Sequence, residues 1–191
     1  MEIFHLYFTL GLTHVLDMNG LDHFYFISAL TLPFGWKDRK NLVLWVSLFT
    51  LGHTLSLIGN YFVGWQFSSA WIEFLIPVTI AVSCWPVLKG QLPHQGVFMS
   101  FVTLGYGLIH GLGFGRYFAM MVQPEEAGWS LFSFAVGVEM AQFLIVGMVL
   151  LFLSIFNHLS QWQSWLRRIF GSVIFLMALL MIVERFPALL E

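Results

Sequence analysis

The chain has 191 residues, of which 59% are hydrophobic and only 9% charged, with a formal net charge of -2. An ordinary soluble domain carries about 25% charged residues, so a soluble globule is excluded, and without a basic stripe nucleic acid is excluded as a partner. The single cysteine, Cys84, excludes a disulfide within the chain and any cysteine-cluster metal site.

Hydrocarbon requires backbone polar groups to be satisfied internally, and a sequence without period-2 alternation does this with helices rather than a barrel. Crossing ~30 Å of hydrocarbon takes about 20 residues. Polar or proline-containing breaks near residues 34–40, 64–69, 89–95, 122–128 and 157–168 divide the chain into six spans. The expectation is an all-α bundle forming one transmembrane domain over residues 1–191.

The first segment, roughly residues 2–33, is too long and too interrupted for one plain helix, because Asp17, Asn19, Gly20, Asp22 and His23 fall within it. It reads as a broken helix, or as a re-entrant piece plus a span, which would make seven helices. With no basic flank and no small-residue cleavage site, it is expected to be mature chain rather than a signal peptide. The breaks carrying Lys37, Arg39 and Lys40, then Lys89, then Arg167 and Arg168 are the first, third and fifth, whereas the fourth carries Glu125 and Glu126. By the positive-inside rule this predicts a cell-membrane (inner-membrane) multipass protein with both termini outside. Trp36, Trp65, Trp71, Trp129, Trp162 and Trp165 lie near span ends, as interfacial anchors do. Residues 161–168 predict a short surface-lying helix before the last span.

Ionisable groups inside a span are expensive and default to functional readings. His14, Asp17, Asp22 and His23 occupy the first segment, His53 the second span, His110 the fourth, and Glu139 and Gln142 the fifth. At 1.5 Å rise per residue His53 lies roughly 18 Å and Glu139 roughly 15 Å into their spans, near the midplane. Imidazole and carboxylate together suit a transition metal such as Ni, Co, Zn, Cu or Fe rather than Mg or Ca. Glu73, Glu184, His5, His94 and His158 fall near ends or in breaks; Glu73 stays a secondary candidate with Asp17 and Gln142, and Arg185 is expected to neutralise Glu184. Asn60, Thr54, Ser56, Thr79 and Ser83 are expected to bond back to their own helices.

In GYGLIHGLGFG, Gly105 to Gly115, glycines surround His110 and strip side chains from the helix. Either neighbouring helices approach closely there or the backbone unwinds. Both would press His110 against an adjoining segment.

The segment GLTHVLDMNGLDHFYF, Gly11 to Phe26, resembles the Gly-x-x-His, Gly-x-Asp-His signature of the HupE/UreJ family of small membrane proteins. LFTLGHTLSL at Leu48–Leu57, WIEFLIPVTIAVS at Trp71–Ser83, LIHGLGF at Leu108–Phe114, FAVGVEMAQ at Phe134–Gln142 and ERF at Glu184–Phe186 follow in the family's order. The resemblance implies an accessory permease for nickel or cobalt, partnered with the lipid bilayer, the metal cation and a hydrogenase or urease maturation system. It also implies metal contacts at His14, Asp22, His23, His53, His110 and Glu139. The chain departs from the pattern at CWPVLKG after Ser83 and at Arg116 after HGLGF. The residues alone fit a permease, an intramembrane Zn or Fe enzyme using the same His/Asp/Glu set, or bis-histidine haem ligation by two of His14, His53 and His110.

Overall fold

The structure is a computed structural model that describes residues 2–18, 20–65, 67–91, 96–156 and 160–190, without the side chains of 160–162. Asn19, His94, His158 and the side chain of Trp162 therefore lie outside the described residues. The regular elements are α1 (Glu2–Leu16), α2 (Asp22–Thr31), α3 (Arg39–Ile58), α4 (Ser69–Leu88), α5 (Val97–Met121), α6 (Ala127–Ile155) and α7 (Ser160–Arg185). Short 3₁₀ turns precede α3 and α6 and follow α7. Five stretches are long and apolar enough to cross a membrane: Trp36–Val63, Ser69–Leu88, Val97–Met121, Pro124–Ile155 and Gln163–Leu189.

The first segment is broken, as its polar residues predict. At 1.5 Å per residue, α1 is about 22 Å and α2 about 15 Å long, so neither alone crosses ~30 Å of hydrocarbon. Between them the Gly20 N–H donates to the Asp17 carbonyl at 3.2 Å, closing a turn. Helix directions show what the two pieces make together. The Phe4 ring lies 6.2 Å from Trp129 and Gly11 abuts Phe134 and Val138, so α1 and α6 run the same way. Asp22 meets Arg185 and the Leu32 carbonyl accepts from Arg167, so α2 runs opposite to α7. The Phe74–Phe186 ring pair and the packing of Gly171 on Val87 set α7 opposite to α4 as well. Thr79 meets His110 and Ile76 meets Gly113, so α4 and α5 are antiparallel, and the short Pro124–Glu126 turn reverses the chain again into α6. Thus α1, α2, α4 and α6 share one direction. The two half-helices make one discontinuous crossing, and the bundle has six.

Glycine sets which helices touch most closely. A Cβ on Gly52 would sit 2.2 Å from the Leu104 carbonyl oxygen, and one on Gly107 would sit 2.1 Å from that of Phe49. The same reciprocal pattern joins α1 to α6: a Cβ on Gly11 would sit 2.2 Å from the Phe134 carbonyl oxygen and one on Gly137 2.1 Å from that of Phe8. Only residues without a side chain allow backbones this near, the small-residue contact by which membrane helices associate where hydrophobic driving force is absent. Because α5 is continuous from Val97 to Met121, Gly107 and Gly111 on either side of His110 act by close approach and not by unwinding. Past Ile58, α3 continues as a π-helical turn, Gly59–Val63, that ends at Gly64 with φ +73°, a left-handed conformation glycine tolerates.

One end of the bundle carries both termini; the other carries Lys37, Arg39, Lys40, Lys89, Arg167 and Arg168 and is called the basic end. The expected surface-lying helix at residues 161–168 is corrected: α7 runs unbroken from Ser160 to Arg185. No proline or glycine interrupts it there, and Arg167 is anchored by donating to the Leu32 carbonyl at the end of α2.

Candidate metal centre

Four histidines from four helices meet in the core. His14 comes from the last turn of α1, His23 from the first turn of α2, His53 from α3 and His110 from α5. Ring centroids lie 4.7 Å apart for His14 and His23, 5.7 Å for His14 and His53, 5.6 Å for His23 and His53, and 5.3 Å for His23 and His110. The break at residues 17–21 is what lets His14 and His23 face each other. In a continuous helix they would stand nine residues, or about 13 Å, apart along the axis.

The glycine contacts supply the rest of the convergence. Gly11 precedes His14 by three residues, Gly107 precedes His110 by three, and Gly52 adjoins His53. His14, His53 and His110 therefore spring from stretches where two backbones touch, whereas His23 is placed by the break before α2. Phe26, Phe49, Phe114 and Phe134 wall the cluster: Phe114 lies 4.2 Å from His14, and Phe49 and Phe26 lie 5.1 and 5.2 Å from His110. Phe134 contacts His14 and His53 at 5.7 and 6.0 Å. Aromatic faces near a cation attract it through the ring quadrupole.

One donor nitrogen from each of His14, His23 and His53 lies within 4.8 Å of the others. A triangle with every side that long has its corners about 2.8 Å from its centre, against 2.0–2.1 Å for a typical Zn–N bond. An inward movement of under ~1 Å per ring would reach bonding distance. The Nε2 atoms of His14, His23 and His53 are buried and lack a hydrogen-bond partner among the described residues. An orphaned buried polar atom costs about 1–3 kcal/mol, so three in one place are unlike a packing network, which would have paired them. His110 differs. Its Nε2 sits 3.0 Å from the Thr79 hydroxyl, whose other contact is to the Ile76 carbonyl, and only its Nδ1 is unpartnered.

Of the carboxylates expected beside these rings, Asp22 and Glu139 have partners of their own. Asp22 forms an ion pair with Arg185 at 3.5 Å. Arg185 also donates to the Glu73 carbonyl at 2.8 Å, so it bridges α7, α2 and α4 rather than neutralising Glu184. Glu139 accepts a hydrogen bond from Ser47 at the α3–α6 boundary and is half-buried. Asp17 is exposed in the break, with its charge near His14. Gln142 is fully buried, accepts from Thr50 at 3.1 Å and has an unpartnered Nε2. Glu73 is exposed at the termini end and lines a cavity of about 220 Å³ with Asn60, Arg116 and Tyr117.

Thr54, Ser56 and Ser83 bond back to their own helices, at 2.8, 2.7 and 2.8 Å, as expected. Asn60 instead spans the π turn to the Trp65 carbonyl at 3.0 Å. Sequence reasoning missed Thr79 as a partner of His110, Ser47 as the partner of Glu139 and Arg185 as the partner of Asp22. Thr79 offered a signal, since it sits in the motif-bearing third span, but the other two pairings join positions 92 and 163 residues apart and leave no local trace.

A discontinuous first helix, helix pairs in close contact through glycine and a buried cluster of histidines walled by phenylalanine define a small polytopic membrane protein. The HupE / UreJ protein family matches residues 1–185, and the chain belongs to that family. No curated protein and no solved structure matches it.

Proposed function

We propose that the protein is a membrane permease for a divalent transition-metal cation, nickel or cobalt, and that His14, His23 and His53 form the substrate site with His110 as an outer member. Three unpartnered imidazole nitrogens in one buried cluster carry this reading. Nitrogen donors suit late first-row divalent ions, and the absence of thiolate keeps ligation exchangeable, as turnover requires. A site at a discontinuous helix is where secondary transporters hold their substrates. Asp22 and Glu139 act around the site, holding α2 and the α3–α6 boundary, rather than as ligands. The family resemblance supports nickel or cobalt as cargo and a metalloenzyme maturation system as its destination.

The alternative is a resident Zn or Fe centre with a carboxylate activating bound water. It is less well supported, because Asp22 is committed to Arg185 and Glu139 to Ser47. The two readings separate in proteoliposomes. The permease accumulates ⁶³Ni²⁺ or Co²⁺ and loses this with His53→Ala, while metal content after mild chelation is low. Stoichiometric metal that survives chelation, together with no uptake, would overturn the permease. Because the ligating imidazoles must be neutral, binding weakens as pH falls.

A further inference from the structure

A large cavity lies away from the histidines. A groove of about 740 Å³ opens between α2, α4, α5 and α7, lined by apolar groups that include Leu30, Ala81, Val82, Trp85, Phe98 and Leu179. Val82, Trp85 and Phe98 are more than half exposed, so the groove faces the surroundings of the bundle and not its core. At the basic end it shares Pro33 and Gln91 with a second pocket of about 220 Å³, whose other lining includes Arg167, Arg168, Gln163 and Ser164. Lys89 extends over the Trp85 ring at 4.8 Å. No Asp or Glu lines either cavity. Arg167 is partly spent on the Leu32 carbonyl, whereas Arg168 is exposed and lies against Gly90 at the junction of the two cavities.

An apolar trough running into a basic pocket, in which Asp38 stands near Arg167 while Arg168 is left to the pocket mouth, fits a molecule with an anionic head and a hydrocarbon tail. We propose that this composite cavity is a binding site for an anionic phospholipid, with its phosphate held by Arg168 and Lys89 and one acyl chain laid along the α2–α4–α5–α7 groove. Arginine is suited to phosphate through its planar fork of donors. The basic end is the face that the positive-inside rule assigns to the anionic cytoplasmic leaflet. The bound lipid fills the gap between the half-helix α2 and its neighbours, which no side chain among the described residues fills. It is independent of the metal site.

Native mass spectrometry of protein released from nanodiscs of equimolar phosphatidylglycerol and phosphatidylcholine tests this. Wild type should retain phosphatidylglycerol preferentially, with the preference falling about fivefold on Arg168→Ala, the loss of one surface cation. Arg168→Lys should restore most of it, and Ala81→Phe, which narrows the groove, should lower retention of both lipids. Equal retention of the two lipids by wild type, or a preference unchanged by Arg168→Ala, overturns the proposal. So does displacement of phosphatidylglycerol by oleate at equal concentration, which would mean that a free carboxylate suffices. Nickel binding by Arg168→Ala should match wild type, so failure here leaves the metal reading standing.

Discussion

Among single residues, the three imidazoles whose Nε2 atoms are unpartnered should outweigh every carboxylate. Replacing His23 or His53 with Ala should weaken Ni²⁺ binding by more than about 100-fold, beyond the 10–100-fold usual for outer-shell changes, as read by calorimetry on protein in detergent. Glu139→Gln should change the same affinity only slightly, because Glu139 is tied to Ser47 and not to the cluster. A large loss on Glu139→Gln would return that carboxylate to the ligand set. Thr79→Val leaves the His110 Nε2 without its partner and should lower stability by about 1–3 kcal/mol, seen as an earlier thermal midpoint. The imidazoles were legible in the sequence because histidine is rare and conspicuous in apolar surroundings. The diversion of Asp22 was not, because its partner Arg185 stands 163 residues further along the chain.

At the level of helices, the glycines divide into two kinds that the sequence does not distinguish. Nothing lies within 4 Å of a Cβ added at Gly105, whereas one at Gly107 would meet the Phe49 carbonyl at 2.1 Å. Gly105→Ala should therefore be neutral or stabilising by up to ~1 kcal/mol through helix propensity. Gly107→Ala should cost at least the ~1–3 kcal/mol of an overpacked contact and reduce metal binding with it, since His110 sits one turn further on. Thermal unfolding of the two variants side by side checks this. Hydropathy was enough to locate the five long spans, and the polar run after Leu16 was enough to predict the break in the first segment. That α1 pairs with α6, and α3 with α5, could not be read, because the spacing of glycines on one helix does not name the helix it meets.

Across the molecule, six cations gather at one end, and by the positive-inside rule that end is expected to face the cytoplasm. The only cysteine, Cys84, is fully buried, so thiol reagents should label wild type weakly. Lys40→Cys should then react only from the cytoplasmic side and Glu125→Cys only from the opposite side. The reverse pattern would invert the topology. The backbone contacts at Gly11–Gly137 and Gly52–Gly107 bind the helices into couples, α1 with α6 and α3 with α5. His14 belongs to the first couple, His53 and His110 to the second, and His23 to the short α2. Within a couple a carbonyl oxygen packs directly over the facing glycine, so slippage between couples is expected to be the softer direction. With the histidines holding an ion as proposed, slippage of this kind would spread or tighten the imidazole triangle and so couple the grip to the shape of the bundle.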